Sequence, residues 1–149
     1  MSGFEVSDLK ATTSLCVSPE GRTLIASNGR LKQLCSHFLA DPHRVFSEQT
    51  QAMLRLFRNA VAGHEPNATT LIAEGVVRRV ASLLQAFTVS RLLGASDSSS
   101  GSGSSNHSTE ETPFSRGCLV AACQLYANIL SASPTVVTGI WAAVGVDGI

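Results

Sequence analysis

The stretch that decides the fold reads Ser47-Glu48-Gln49-Thr50-Gln51-Ala52-Met53-Leu54-Arg55-Leu56-Phe57-Arg58-Asn59-Ala60-Val61-Ala62-Gly63. Ser47 is a good N-cap, and Glu48 stands where the positive end of a helix dipole favours a carboxylate. Met53, Leu56, Phe57, Ala60 and Val61 then fall on one helical face before Gly63 stops the segment. Downstream, Pro66-Asn67 opens a shorter helix carrying Leu71 and Ile72 and ended by Gly75. A longer one with Val76, Val80, Leu83, Leu84 and Phe87 on its face runs to about Leu93. Upstream, Leu31, Leu34, Cys35 and Phe38 share a face closed by Asp41-Pro42, and Ser18-Pro19-Glu20 opens a helix that Asn28-Gly29 interrupts.

Residues 1–17 are polar with weak periodicity and are expected to fray, so the helical units are placed at 18–93. The tract 94–112 is serine- and glycine-rich and cannot bury enough apolar surface to offset the entropy of ordering, which predicts a disordered loop. Its serines read as a linker, with phosphorylation as the alternative. In 113–149, Thr112-Pro113 opens a helix with Leu119, Ala122, Leu125, Tyr126 and Ile129 on its face, and Ser133-Pro134 a shorter one holding Val137, Ile140, Trp141 and Val144. No segment alternates over a strand's length, so the expectation is an all-α chain.

Composition narrows the function classes. Eleven basic and eleven acidic residues in 149 give a net charge of zero, which supplies no reason to expect nucleic acid or an anionic membrane as partner. Arg58, Arg78 and Arg79 read as solvated helix faces, with one positive surface as the alternative. The four cysteines are scattered, which argues against a disulfide framework. No signal-peptide pattern and no span-length apolar run appears, so the chain reads as cytoplasmic. The sequons at Asn67 and Asn106 would matter only in a secreted protein.

The sequence also repeats. With Asn59 aligned on Asn128, Met53 meets Ala122, Leu56 meets Leu125 and Phe57 meets Tyr126; further on, Leu71-Ile72 meets Ile140-Trp141, with Pro66 and Pro134 marking the turn between helices and Gly75 and Gly145 closing the short helix. Less the low-complexity loop, the offset is about 50 residues, at the upper end of the solenoid range. Units of this kind stack because none can cover its own apolar face. An ordinary helical bundle with coincident spacing is the alternative. Against it stands the recurrence of an asparagine inside a helix, where that residue is mildly unfavourable.

Met53-Leu54-Arg55-Leu56-Phe57-Arg58-Asn59-Ala60, then Leu71-Ile72-Ala73-Glu74-Gly75-Val76-Val77, then Val80-Ala81-Ser82-Leu83-Leu84, resembles an armadillo repeat. Arg58-Asn59-Ala60, the later phrase Cys123-Gln124-Leu125-Tyr126-Ala127-Asn128-Ile129 and the pair Ile140-Trp141 are similar to the ataxin-10 family in particular, over roughly Gln51 to Val144. The resemblance implies an armadillo-like, right-handed helical solenoid, with 113–149 an incomplete unit and the fold truncated where the next long helix should begin. It also implies a cytoplasmic, non-catalytic adaptor in cytokinesis, cell survival or process outgrowth. In importin-like relatives a tryptophan stands one turn before the ladder asparagine; Arg55 and Gln124 hold those places here, which argues against nuclear-signal peptides as ligands.

No nucleophile and base, converging carboxylates or phosphate-binding glycine loop occurs at a telling spacing. His37, His43, His64 and His107 are spread over different elements, and Cys35 and His37 point to different sides of a helix, so neither a metal nor another cofactor is expected. Other proteins are the expected partners, with self-association left open. The partner-binding candidates are Arg55, Asn59, Gln124 and Asn128, pointing into a groove where an amide could bond an extended backbone. The competing reading is that the two asparagines only pin a neighbouring turn.

Overall fold

Caps and glycines divide the apolar pattern into helices. A computed structural model describes residues 4–96, 113–132 and 134–138. Among these residues it holds seven helices and no strand: α1 (Val6–Leu15), α2 (Pro19–Ser27), α3 (Arg30–Leu39), α4 (Glu48–Val61), α5 (Glu65–Ala73), α6 (Val76–Ser96) and α7 (Ser115–Ala132), with a further short helical stretch at 134–138. The expected caps form: Ser18 Oγ accepts from the Gly21 amide at 3.0 Å and Ser47 Oγ from the Thr50 amide at 3.2 Å.

Helix α4 is the centre. Met53, Leu54, Leu56, Phe57, Ala60 and Val61 are all 0% exposed, so most of this helix is taken up by the core. Each large side chain so buried contributes roughly 1.5–3 kcal/mol. Phe57 meets Phe38 of α3 edge to face at 5.5 Å between centroids. On either side of α4 lie α1 and α7, and all three run in the same direction, since the pairings step forward together: Gln51 lies over Gly117 and Arg58 bonds Gln124, while Lys10 meets Glu48 and Thr13 meets Asn59. The remaining helices form the other side of the core, α2 packing on α5 and α3 on α6.

A second correspondence, unseen in the sequence, relates these outer helices. The N-caps Ser18 and His64 stand 46 residues apart, as do the left-handed glycines Gly29 (φ 74°) and Gly75 (φ 86°) that turn α2 into α3 and α5 into α6. In the same register Ile25 and Leu71, Leu31 and Val77, and Leu34 and Val80 are all buried. Replacing either glycine would force an L side chain into a region it rarely adopts.

Three arginines tie helix ends to the core. Arg22 donates to the Cys16 and Val17 carbonyls behind α1 and across to Ala62 after α4. Arg44, 6% exposed, donates to Phe38 and His37 at the end of α3 and lies over the Phe38 ring. Arg79 donates to Asp41 and Pro42 beyond it. Carbonyls in the last turn of a helix lack intrahelical partners, and guanidinium forks supply them.

The N-terminal stretch corrects the expectation of fraying. Leu9 and Cys16 are 0% exposed, and Phe4 is held by the Arg30 guanidinium at 4.3 Å, the His37 ring and a hydrogen bond from Gln49 to its carbonyl. Weak periodicity misled because α1 buries few residues, yet those few meet α4. The 94–112 tract begins inside α6, which reaches Ser96; its remainder, with His107 and Asn106, and the expected Ile140, Trp141, Val144 and Gly145 lie outside the described residues.

Candidate binding face of α1, α4 and α7

Because the core takes nearly all of α4, four of its remaining polar residues line up along one stripe: Glu48, Gln51, Arg55 and Arg58, at spacings of three and four. The stripe floors two adjoining depressions. One, of about 300 Å³, lies towards α1 and is lined by Lys10, Ser14, Glu48, Gln51, Arg55 and Phe114 among others. The other, about 420 Å³, lies towards α7; Arg55, Arg58, Arg116, Gln51 and Gln124 supply its polar lining, and Val120 and Ala121 part of its wall. Gln51 and Arg55 border both, so the two form one open groove across three helices.

The four residues singled out from sequence divide into two pairs. Arg55 and Gln124 are exposed and line the groove. Asn59 and Asn128 line neither depression. The Asn128 amide donates to the Arg58 carbonyl at 2.9 Å, and the Asn59 amide to the Thr13 carbonyl at 3.4 Å. Both reach a carbonyl in the last turn of the helix next in the row.

Asn59 still acts on the groove indirectly. Its Oδ1 accepts from Arg58 Nε at 2.9 Å, while Arg58 Nη1 donates to Gln124 Oε1 at 2.7 Å. Arg58 is thereby fixed between two neutral acceptors that leave its charge whole. In the sequence Arg58, Arg78 and Arg79 read as solvated helix faces, with one positive surface as the alternative; Arg58 lines the groove, while Arg79 donates to the Asp41 and Pro42 carbonyls beyond α3. Arg116 and Lys10 were missed. Only the packing of α1 and α7 against α4 brings them to the groove, although Arg116 could have been noticed in the first turn of a helix without a local acid.

The charge is one-sided. Among the described residues, no carboxylate lines the depression beside α7, and Glu48, in the other, is paired with Lys10 at 3.3 Å. Beneath the groove, burial pushes the Cys118 thiol up to about 11, opposed by a backbone hydrogen bond of Ser47 and by the charge of Arg55. Elsewhere burial raises Cys16, takes Cys35 to about 12, and lifts the Tyr126 phenol, which donates to the Val77 carbonyl, to about 12. Cys123 is exposed, and all four thiols are free.

Among the described residues no three His, Cys, Asp or Glu side chains converge as metal ligands, and no helix is long and apolar enough to cross a membrane. Asn67 of the first sequon is fully buried, donating to the Arg22 and Ala60 carbonyls. No protein-family model, curated protein sequence or solved structure matches the chain.

Proposed function

We propose that this chain is a non-catalytic, cytoplasmic protein-binding scaffold of the armadillo type, built as a right-handed solenoid, whose binding surface is the groove across α1, α4 and α7. The observation that carries the reading is Arg58, held by Asn59 from its own helix and by Gln124 from the next, at a groove to which three parallel helices contribute. Recurring Asn-to-carbonyl bonds and the 46-residue register of caps and glycines support a repeated unit. The ataxin-10-like phrases carry the further proposal of an adaptor role in cytokinesis, cell survival or process outgrowth.

Selection of a displayed random-peptide library on the chain tests the groove. Selected peptides should lose at least about tenfold in affinity on Arg55→Ala with Gln124→Ala, and nothing on Glu20→Ala or Thr70→Ala of the outer layer. Peptides indifferent to the groove pair would overturn the assignment.

A second reading, a structural unit of a larger assembly, is favoured by α7. Val120, Cys123, Ala127 and Leu130 form an exposed stripe on its outer side, with Val120 50% and Leu130 48% exposed. Their counterparts 69 residues earlier, Gln51, Leu54, Arg58 and Val61, lie on α4, where Gln51 and Arg58 touch α7 and Leu54 and Val61 are fully buried. Sedimentation velocity discriminates: a mass that grows with concentration and reverts on Leu130→Lys supports assembly, and a constant monomer mass excludes self-assembly.

A further inference from the structure

We propose that the groove recognises an extended acidic peptide segment, its carboxylates or phosphates read by Arg55, Arg58 and Arg116. This rests on the reading of the α1, α4 and α7 face as a protein-binding surface, and names the chemistry of what it binds.

Three arginines converge on a depression that no carboxylate among the described residues lines. The nearest acid of the groove, Glu48, is engaged by Lys10. Arg58 is oriented without being neutralised, since both its acceptors are uncharged amide oxygens. A guanidinium has five N–H donors in a planar fork matched to carboxylate and phosphate, so the Asn59 and Gln124 bonds leave donors over. The positive end of α7 adds to the field, for its first turn carries no acidic residue and contributes Arg116 and Gly117 to the wall. Gly117 keeps that wall close: a Cβ there would fall 1.5 Å from the Gln51 amide nitrogen.

Shape and composition favour peptide over nucleic acid. Neighbouring packed helices lie about 8–10 Å apart, so crossing three spans about 20 Å. That is the reach of about six extended residues at roughly 3.3 Å each. Single-stranded nucleic acid is held by stacking successive bases on several aromatic side chains, and of the residues lining the groove only Phe114, in the depression towards α1, is aromatic. Gln51 and Gln124 instead offer amides suited to a peptide backbone.

Fluorescence anisotropy on the full chain tests the proposal with a labelled glutamate-rich nonapeptide, its glutamine counterpart, its phosphoserine counterpart and a single-stranded oligonucleotide of matched charge. At least one acidic peptide should bind about tenfold or more tighter than the glutamine peptide, and the gap should close in 1 M salt. The tighter of the two identifies the acid. Arg55→Gln with Arg116→Gln should erase the preference, Lys32→Gln on α3 should not, and Arg55→Glu with Arg116→Glu should transfer it to a lysine-rich peptide. Equal binding of glutamate, phosphoserine and glutamine peptides overturns the acidic specificity while leaving the binding face standing. Tighter binding of the oligonucleotide overturns the peptide assignment, and binding of no peptide at all overturns both this proposal and the scaffold reading beneath it.

Discussion

The side-chain amide of Asn128 donates to the backbone carbonyl of Arg58 at 2.9 Å, one helix over, and so fastens α7 to α4 at the residue whose guanidinium enters the groove. Asn59 makes the same reach from α4 to α1 at 3.4 Å. An asparagine within a helix that bonds a neighbouring helix sets the register of the pair, and Arg58 inherits its position from that register. Asn128→Ala should lower unfolding stability by about 1 kcal/mol in a urea melt, and Asn59→Ala by less, since its inter-helix bond is longer. Equal, negligible effects would remove the asparagines from the account of helix register.

Leu9 tests whether α1 belongs to the core. It is 0% exposed although it lies in a stretch whose sequence suggests fraying. Leu9→Ala should cost about 2–5 kcal/mol, the range for a buried leucine whose site cannot fully collapse. A loss near zero in the same melt would return residues 1–17 to a frayed tail and strip the groove of one wall.

These two sites also mark how far the sequence was legible. Buried stripes with period 3.6 announced α3, α4, α6 and α7, because Leu31, Phe38, Phe57 and Leu125 each belong to a face that local spacing records. Leu9 does not, since α1 presents only a narrow apolar seam and its burial is decided by α4, 38 or more residues away. The binding candidates split for a similar reason. Arg55 and Gln124 were found because a helical position dictates which face it occupies. Whether an asparagine on that face turns to a groove or to the next helix depends on where the neighbouring backbone lies, and Thr13 and Arg58 supply the acceptors. Lys10 and Arg116 needed tertiary packing to be brought to the same groove.

Thiol chemistry checks the burial pattern and its linkage to pH. Cys16, Cys35 and Cys118 are buried and Cys123 is exposed, so a chromogenic disulfide reagent should titrate one thiol rapidly in the native chain and four in denaturant. In the fold Cys118 is raised from 9.0 to about 11 and Cys35 from 9.0 to about 12. The unfolded thiols ionise first as pH rises, so their stability contribution is intact below about 9 and is lost progressively between there and about 12. Urea melts from pH 8 to 11 should show that decline, reduced in Cys118→Ala; stability rising with pH across the window would contradict the burial assigned to these groups.

The account stands most directly on where a bound peptide touches the chain. Nuclear magnetic resonance of the isotopically labelled protein, titrated with the tightest peptide from the random library, reports this residue by residue. The account predicts shifts concentrated at Lys10, Gln51, Arg55, Arg116 and Gln124, with Lys32 and Thr70 unmoved. Shifts confined to α2, α3, α5 and α6, or to Cys123, Ala127 and Leu130 on the outer side of α7, would contradict it.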